Sequence, residues 1–482
     1  MTESQKNTVI LGAGPAGLAA AYELAQSRHP SILIEKNTQV GGLCRTLEHR
    51  GNLFDIGGHR FLSRSQEVNQ LWQKILGHDL LLVQRKSRIL YHGKYFHYPL
   101  ELINALKGLG ASESLLCFLS SLKAKWFDHP DQSTFEGWMV KRFGKRLYEI
   151  FFKTYTEKVW GVPCSQLSSD WAVQRIQGLS LGKAIWNTVS KAGSRFHRRK
   201  SIKTLSEEFL YPKRGPGQFY DRLKNASITG GADCLCNTAV KEVRWQGRRI
   251  ESITIQTKDS PARQLPIHHL ISTIPLTLLI QKMTPEPPAE VLSACQNLRF
   301  RSFMTVNLIF DKAQVFPDNW IYVHSPGVLV GRIQNYKNWS PHMVANPDIT
   351  TLGAEYFVNE GDHLWNMKPE IMIQFALREL DQLGIISPKY FVDGFVVRVP
   401  NVYPVYGPSY QSSLAVLRQF LDRFENLQVI GRSGLFRYNN SDHALLTGLY
   451  AARNFLGKSD YDLWAVEPDH DHHEEFQSTE IY

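Results

Sequence analysis

The sequence predicts an α/β fold in which a parallel-sheet domain carries an inserted helical domain and a second, largely antiparallel sheet domain. Three observations predict it. An apolar strand, a glycine turn and an alanine-rich helix open the chain. Apolar residues at three- and four-residue spacing then predict helices across residues 100–204. Alternating apolar and polar residues predict strands across residues 291–424.

The first forty residues contain a glycine turn between a strand and a helix. Residues 8–11 form the strand. Gly12 permits a tight turn, Gly14 allows the backbone to approach a pyrophosphate, and Gly17 allows close helix packing. Glu35 stands 21 residues after Gly14, at the end of the second strand, where a carboxylate binds a ribose. Strand, glycines, helix, strand and acid in this order predict a Rossmann-like dinucleotide-binding domain.

Two further glycine pairs follow this fingerprint. The pair that ends at Gly42 precedes Arg45, a pattern typical of a loop that wraps a nucleotide, with the arginine on a phosphate. An ordinary β-turn with a surface arginine is the alternative. The pair that ends at Gly58 precedes His59, which would bring backbone and an imidazole beside a flat ligand. A lone histidine is more often structural, so His59 gains its interest from these neighbours.

The helical block interrupts the α/β pattern and is therefore predicted to be an insertion. The other predicted parts are a discontinuous dinucleotide-binding domain, a substrate-binding sheet domain and a flexible acidic, histidine-rich tail. The boundaries are 1–99, 205–290 and 425–465 for the dinucleotide-binding domain, 100–204 for the insertion, 291–424 for the sheet domain and 466–482 for the tail. Because no second cluster of ligands accompanies the histidines of the tail, we predict no metal site.

Polar residues within otherwise apolar elements are candidates for a binding site. Arg175 lies near the start of a helix predicted over residues 169–190, where it is either a surface arginine or an anion clamp. Arg332 lies in an apolar stretch predicted as a strand over residues 327–333, and its charge requires either an exposed edge or a polar site. A tyrosine-rich turn is predicted at residues 403–407.

The last part of the predicted dinucleotide-binding domain again has a strand, a loop and a helix in sequence. The last predicted strand, residues 427–430, leads through a polar loop into a helix predicted over residues 444–456. The N terminus of that helix would offer the ligand a second set of N–H donors.

The formal charge of +10 suits an anionic partner. A phosphorylated small molecule, an acidic membrane surface or a nucleic acid would each match this charge. The sequence contains no zinc-finger spacing and no arginine-rich reader segment, so we predict no nucleic-acid partner. The apolar segment at residues 115–119, followed by Lys123 and Lys125, is predicted to pack in the helical bundle, with peripheral membrane contact as the alternative.

The sequence also predicts a cytoplasmic protein. The first hydrophobic run is the nucleotide-binding strand itself, so no signal peptide is predicted. No run of about 20 apolar residues is present, so no membrane-spanning helix is predicted. The six cysteines are scattered along the chain, which favours reduced thiols.

Four motifs occur in an order that resembles the UDP-galactopyranose mutase family and its neighbours among the FAD-dependent amine oxidases and protoporphyrinogen oxidases. They are the fingerprint at 12–17, Gly41-Gly42, Gly57-Gly58-His59, and the stretch from Gly431-Arg432 through Tyr438, Asp442-His443 and Asn454. The resemblance implies a Rossmann-like FAD-binding domain with noncovalent FAD rather than NAD. It implies the following cofactor-binding residues: Gly12, Gly14, Gly17, Glu35, Gly42, Arg45, Gly58, His59, Arg432, Asp442 and His443.

Mutases of this family rearrange a nucleotide sugar without net redox change. The resemblance implies that UDP-galactopyranose and UDP-galactofuranose interconvert through a sugar adduct on N5 of the reduced flavin, after NAD(P)H has reduced the flavin. It implies a catalytic and diphosphate-binding set made of His59, Arg175, Arg332, Tyr403 and Tyr438.

An FAD-dependent oxidoreductase that acts on an apolar or amine substrate is the alternative function. This superfamily uses one fold for many reactions, so the fold leaves both functions open. An apolar substrate would leave the two arginines at the diphosphate positions unpaired and unfavourable to bury. The sequence therefore favours a nucleotide-diphosphate sugar, or another anionic small molecule, as the substrate.

Overall fold

The structure is a computed structural model that describes residues 8–98, 100, 102–127, 130–169 and 208–466. Arg175 and nearly all of the helix predicted over residues 169–190 lie outside these residues, as does nearly all of the predicted tail.

The described strands and helices are numbered in chain order. The strands are β1 (Thr8–Leu11), β2 (Ser31–Ile34), β3 (Thr46–His49), β4 (Asn52–Asp55), β5 (Leu80–Gln84), β6 (Ser87–Tyr91), β7 (Lys94–His97), β8 (Glu208–Pro212), β9 (Ala232–Leu235), β10 (Thr238–Gln246), β11 (Arg249–Thr257), β12 (Arg263–Pro266), β13 (His269–Ser272), β14 (Met283–Thr284), β15 (Arg299–Phe310), β16 (Trp320–Val323), β17 (Arg332–Asn335), β18 (Thr350–Val358), β19 (Phe391–Val405) and β20 (Leu427–Val429). The helices are α1 (Pro15–Gln26), α2 (Gln66–Leu76), α3 (Leu102–Leu109), α4 (Ala111–Trp126), α5 (Phe135–Phe143), α6 (Lys145–Tyr148), α7 (Thr154–Trp160), α8 (Gly217–Thr229), α9 (Leu276–Gln281), α10 (Ala289–Asn297), α11 (His363–Asn366), α12 (Pro369–Gln382), α13 (Tyr410–Leu421), α14 (Gly431–Gly434) and α15 (Ser441–Phe455).

The first sheet confirms the Rossmann-like prediction. Within the described ranges it has the parallel strand order β20-β13-β1-β2-β9. β1 and β13 are buried along their whole length, which explains their apolar sequences. In such a sheet, ligands bind beyond the carboxyl ends of the strands. The glycine turn after β1 and the loop after β20 both leave from that edge.

Helices α1 and α15 pack together behind this edge. A Cβ atom at Gly448 of α15 would lie 2.1 Å from the carbonyl oxygen of Ala16 on α1, so the approach requires glycine. α15 begins at Ser441, three residues before the predicted start. Because Gly448 is at the midpoint of α15, the N-terminal turn of α1 packs against the middle of α15.

The second sheet is largely antiparallel, as predicted. In the described chain its order is β19-β15-β18-β17-β16-β6-β7, and only the β16–β6 pairing is parallel. β6 and β7 form a hairpin with its turn at His92 and Gly93. Although the hairpin belongs to the predicted segment 1–99, β6 pairs with β16, and this pairing joins the hairpin to the second sheet.

Two predicted elements of the second sheet differ from the structure. The strand predicted over residues 327–333 begins only at Arg332 and continues to Asn335. Tyr403 lies in the long strand β19 rather than in a turn. Its pairing with β15 resumes at Arg301 and Tyr403 after an irregularity around Pro400. A proline is tolerated there because β19 is an edge strand.

The insertion consists of helices, as predicted, among the described residues. α3 to α7 pack around a core that includes Phe135, Met139 and Phe151. The same core contains Phe303 and Phe357 of the second sheet, so the helices pack directly on it. A π-helical turn at Glu149–Lys153 lies between α6 and α7. No helix within the described ranges has the length and apolar character needed to cross a membrane.

Candidate functional site

A cavity of about 1210 Å³ lies between the two sheets and the helical insertion. One end is lined by Gly12, Gly14 and Glu35, and the other end by Arg332 and Tyr155. Pockets for a single small molecule are typically about 300–1,000 Å³. The cavity therefore has room for a dinucleotide and a second ligand.

The glycine turn at the first end is shaped by close backbone contacts. Gly12 has φ +95°, a left-handed conformation that favours glycine. A Cβ atom at Gly17 would lie 1.9 Å from the Gly12 carbonyl oxygen, and Gly17 does not line the cavity. Gly14 and Gly42 do line it, and a Cβ atom at Gly42 would lie 3.0 Å from the Gly14 Cα atom. Their backbones thus form a narrow cradle without side chains.

Two charged side chains flank this cradle. The Glu35 carboxylate accepts hydrogen bonds from the backbone N–H groups of Ala13 and Asn37, both at 2.9 Å. Arg45 donates from Nε to the Gly42 carbonyl oxygen at 2.9 Å. Burial lowers the pKa of Arg45, and the nearby Glu35 opposes this shift. Arg45 is half-buried and lines the cavity, and its contact with a phosphate stays a prediction.

The loop with His59 lines the cavity and packs on β17, where a Cβ atom at Gly57 would lie 3.6 Å from Arg332 Nη2. A Cβ atom at Gly58 would lie 2.7 Å from Gln334 Nε2, so a side chain there would require Gln334 or the loop to move. His59 Nε2 donates to the Ile56 carbonyl oxygen at 2.8 Å. Burial lowers the pKa of His59 to about 4. The ring is therefore neutral near pH 7 and acts as a hydrogen-bonding group rather than as a cation.

Arg332 occupies a polar site, which was one of its two predicted alternatives. Its Nε donates to Glu355 Oε2 at 2.5 Å, and Gln334 Nε2 donates to the other carboxylate oxygen at 2.9 Å. Burial raises the pKa of Glu355, and Arg332 partly offsets this shift. Among the described residues, the Nη groups of Arg332 have no protein acceptor. Because Arg332 lines the cavity, these groups are available to an anionic ligand.

A second guanidinium lies beside two stacked tyrosines. The rings of Tyr403 and Tyr438 are 5.6 Å apart with an interplanar angle of 19°. Arg432 lies 4.9 Å from the first ring and 4.1 Å from the second. It donates to the carbonyl oxygens of Val402 and Asn439, whereas its Nη2 is buried without a partner in the described chain. This donor requires a ligand or water.

The structure brings most of the predicted site residues together. Those that line the cavity are Gly12, Gly14, Glu35, Gly42, Arg45, Gly58, His59, Arg332, Tyr403, Arg432 and Tyr438. Asp442 and His443 do not, because the first turn of α15 directs them into the protein, where they are buried with 3.0 Å between Oδ1 and Nδ1. Arg175 lies outside the described residues, so its role stays a prediction.

Several lining residues were not predicted from the sequence. The insertion contributes an aromatic wall that consists of Phe151, Phe152, Tyr155 and Trp160. Their helical spacing is the same as that of residues in an ordinary helix core, so the sequence did not distinguish them as site residues. The π-helical turn that contains Phe151 and Phe152 is the feature that marks the site, since such turns are frequent at functional sites. Asn439 was also missed, and both polar atoms of its buried amide have no partner among the described residues.

Residues 15–456 match the family described as flavin containing amine oxidoreductase. The chain belongs to this family. A probable UDP-galactopyranose mutase of Klebsiella pneumoniae is 28% identical over 175 residues, which are 34% of this chain and 43% of that relative. The match thus spans less than half of that curated relative. An L-amino-acid oxidase of Siganus canaliculatus is 22% identical over 426 residues, which are 83% of this chain and 75% of the oxidase.

A solved structure of reduced UDP-galactopyranose mutase has the same fold. It superposes with a TM-score of 0.81 at 21% identity and covers 95% of this chain and 96% of its own. The sequence prediction of this fold and superfamily is therefore confirmed, and the protein is a flavoenzyme of the amine oxidase superfamily.

Family membership implies FAD as the cofactor, and the lining residues fit it. The cradle at Gly14 and Gly42 would hold the pyrophosphate, close to the N terminus of α1. Glu35 would bind the ribose. The unpartnered donors of Arg432 and Asn439 match the polar edge of a flavin. Noncovalent attachment and reduction by NAD(P)H stay predictions.

The neutral state of His59 predicts a dependence of stability on pH. In the unfolded chain the ring has its ordinary pKa of 6.5, so below pH 6.5 the unfolded state binds more protons than the folded state. The free energy of unfolding contributed by His59 therefore falls as the pH falls from 6.5 to about 4. We expect His59→Gln to flatten this slope, as measured by urea unfolding across that pH range.

A second buried side chain, Asp55, also makes the free energy of unfolding depend on pH in this range. Burial raises its pKa to about 7, so its contribution to stability has the opposite slope in the same range. Because Asp55 is present in both proteins, the difference between their slopes reports His59. Identical slopes in the parent and in His59→Gln would contradict the assignment of a neutral, buried ring.

Proposed function

We propose that this protein interconverts UDP-galactopyranose and UDP-galactofuranose at a reduced FAD. When bound and reduced, FAD supplies an electron-rich ring nitrogen toward the anomeric carbon. The observation that carries the proposal is a cation beside two stacked phenols in the cavity: Arg332, Tyr403 and Tyr438.

This group has the chemistry of a diphosphate site. Arginine binds phosphate oxygens through charge-assisted hydrogen bonds, which are roughly twice as strong as neutral ones. Glu355 fixes the guanidinium of Arg332 through Nε, and this contact leaves both Nη groups for the ligand. The Tyr403 hydroxyl has no partner among the described residues and adds an uncharged donor. These residues would bind the UDP leaving group and stabilise its charge as it departs.

The aromatic wall would receive the uracil base. Phe151, Phe152 and Tyr155 line the cavity on the insertion side. Stacking of a base on an aromatic side chain typically contributes about 1–3 kcal/mol. With the base on this wall and the diphosphate on Arg332, the sugar would extend toward His59, which would bind it as a neutral group.

The second candidate is an oxidoreductase that acts on an apolar or amine substrate. Phe303 and Phe357 make part of the cavity wall apolar, and the L-amino-acid oxidase relative aligns with most of this chain. Reduction of the oxidised flavin by a lipid or an amine under anaerobic conditions would favour this candidate. A mutase substrate would leave the oxidised flavin unchanged.

Binding of UDP tests the proposed substrate class. We expect UDP to bind the reduced protein and to perturb the flavin spectrum. Tyr403→Phe removes one donor and should weaken UDP binding by about 1 kcal/mol, as measured by calorimetry.

Tyr95→Phe is the matched control, because Tyr95 is 38% exposed and does not line the cavity. The control should bind UDP as the parent does. Absence of UDP binding to the reduced parent at millimolar concentration would rule out a UDP-sugar as substrate.

A further inference from the structure

One face of α4 exposes a continuous set of large apolar side chains. The α4 apolar face consists of Leu115, Leu116, Phe118, Leu119, Leu122, Trp126 and the adjoining Phe127. Each side chain is between 38% and 77% exposed. The opposite side of α4 carries Cys117 and Ala124, which are buried in the core of the insertion. In the described part of the chain, the larger apolar side of the helix therefore faces solvent.

Such a face indicates a binding surface. Single exposed apolar residues are common on proteins, but a contiguous patch of this size marks an interaction site. The positions recur at three- and four-residue spacing along α4, so they share one side of the helix. They also do not line the cavity, so the proposed reaction does not use them.

The exposed charges in the last two turns of α4 are positive. At 3.6 residues per turn, the exposed Lys123 lies on the apolar side of the helix between Leu119 and Leu116, and the exposed Lys125 lies at its edge beside Phe118. Between residues 102 and 127 the sole acid in the sequence is Glu113, which is paired with Arg146 through Oε2 and Nη2 at 2.9 Å. Leucines and aromatic rings accompanied by lysines are typical of a helix that lies in a membrane interface.

We propose that the α4 apolar face binds the surface of a membrane that contains anionic lipids, with the helix parallel to that surface. The leucine and aromatic side chains enter the boundary between headgroups and acyl chains. The ammonium groups of Lys123 and Lys125 extend outward to the lipid phosphates. A second copy of the same face fits less well, because four lysines would meet without an acid to pair them.

Vesicle sedimentation of the full-length, FAD-loaded protein tests the proposal. The probes are vesicles of phosphatidylcholine alone and of equal parts phosphatidylcholine and phosphatidylglycerol. We expect binding to the anionic vesicles that weakens with added salt, because lysine–lipid attraction is screened. Lys123→Gln and Lys125→Gln should each lower the affinity about fivefold. Leu119→Gln should lower it roughly tenfold.

Ile371→Gln is the matched control for Leu119→Gln. Ile371 lies on α12 and is 52% exposed, against 51% for Leu119, so both changes replace an equally exposed helical side chain. Since both positions are exposed, both variants should fold and retain FAD.

Three outcomes would overturn the proposal. The first is a parent protein that binds neither kind of vesicle. The second is equal vesicle binding by Leu119→Gln and Ile371→Gln. The third is a dimer in vesicle-free solution that Leu119→Gln converts to a monomer, which would assign the face to a second copy of the chain.

Discussion

Arg332→Leu should abolish measurable UDP binding and lower the stability of the protein by about 3–5 kcal/mol. The stability effect follows from Glu355, whose side chain is fully buried and whose nearest cation is Arg332. Loss of the guanidinium leaves a buried carboxylate without a counter-charge, which is strongly unfavourable. The binding effect follows because the Nη groups of Arg332 are proposed to bind the diphosphate. Urea unfolding and UDP calorimetry measure the two effects separately.

The double variant Arg332→Leu/Glu355→Leu separates structure from function. Replacement of a buried ion pair by apolar residues is often neutral or stabilising, so most of the lost stability should return. UDP binding should not return, because the cation is still absent. Full UDP affinity in either variant would remove Arg332 from the proposed diphosphate site.

Gly14→Ala should release FAD while the protein stays folded. A Cβ atom at Gly14 would make only an ordinary contact, 3.9 Å from the Gly42 Cα atom, so the polypeptide itself tolerates it. The methyl group would occupy the cradle proposed for the pyrophosphate. We expect a loss of FAD affinity of about tenfold or more, because overpacking typically costs about 1–3 kcal/mol. Flavin absorbance after gel filtration measures the retained FAD.

Gly17→Ala should behave differently, although it lies in the same turn. Its Cβ atom would lie 1.9 Å from a backbone oxygen, so α1 must move and the apoprotein itself should lose thermal stability. Gly407→Ala is the control, because nothing lies within 4 Å of a Cβ atom there. If Gly14→Ala retains FAD as Gly407→Ala does, the cradle is not the pyrophosphate site.

The parts of the fold that could be predicted from the sequence are those that local chemistry determines. The turn at Gly12 is predictable because strand, glycines and helix are neighbours in the chain. Arg332 was predicted as a candidate site residue because a charge in an apolar stretch requires either solvent or a polar partner. Its partner was not predictable, because Glu355 faces Arg332 only through the register of β17 and β18.

Other parts of the site depend on how elements pack. The direction of α15 turns Asp442 and His443 inward, and no local pattern reveals this direction. The aromatic wall has the spacing of a core helix, and only the fold shows that Phe152 and Tyr155 face a cavity. Tyr403 was predicted in a turn because Pro400 and Pro404 suggested one, whereas the edge position of β19 accommodates both prolines.

Turnover of UDP-galactofuranose by the reduced protein tests the central proposal most directly. The protein is reduced with dithionite, incubated with the furanose, and the products are separated by anion-exchange chromatography. We predict many turnovers to UDP-galactopyranose, no net oxidation of the flavin, and little activity before reduction. Absence of the pyranose, together with anaerobic reduction of the oxidised flavin by an amine or apolar compound, would contradict the mutase proposal and favour the oxidoreductase.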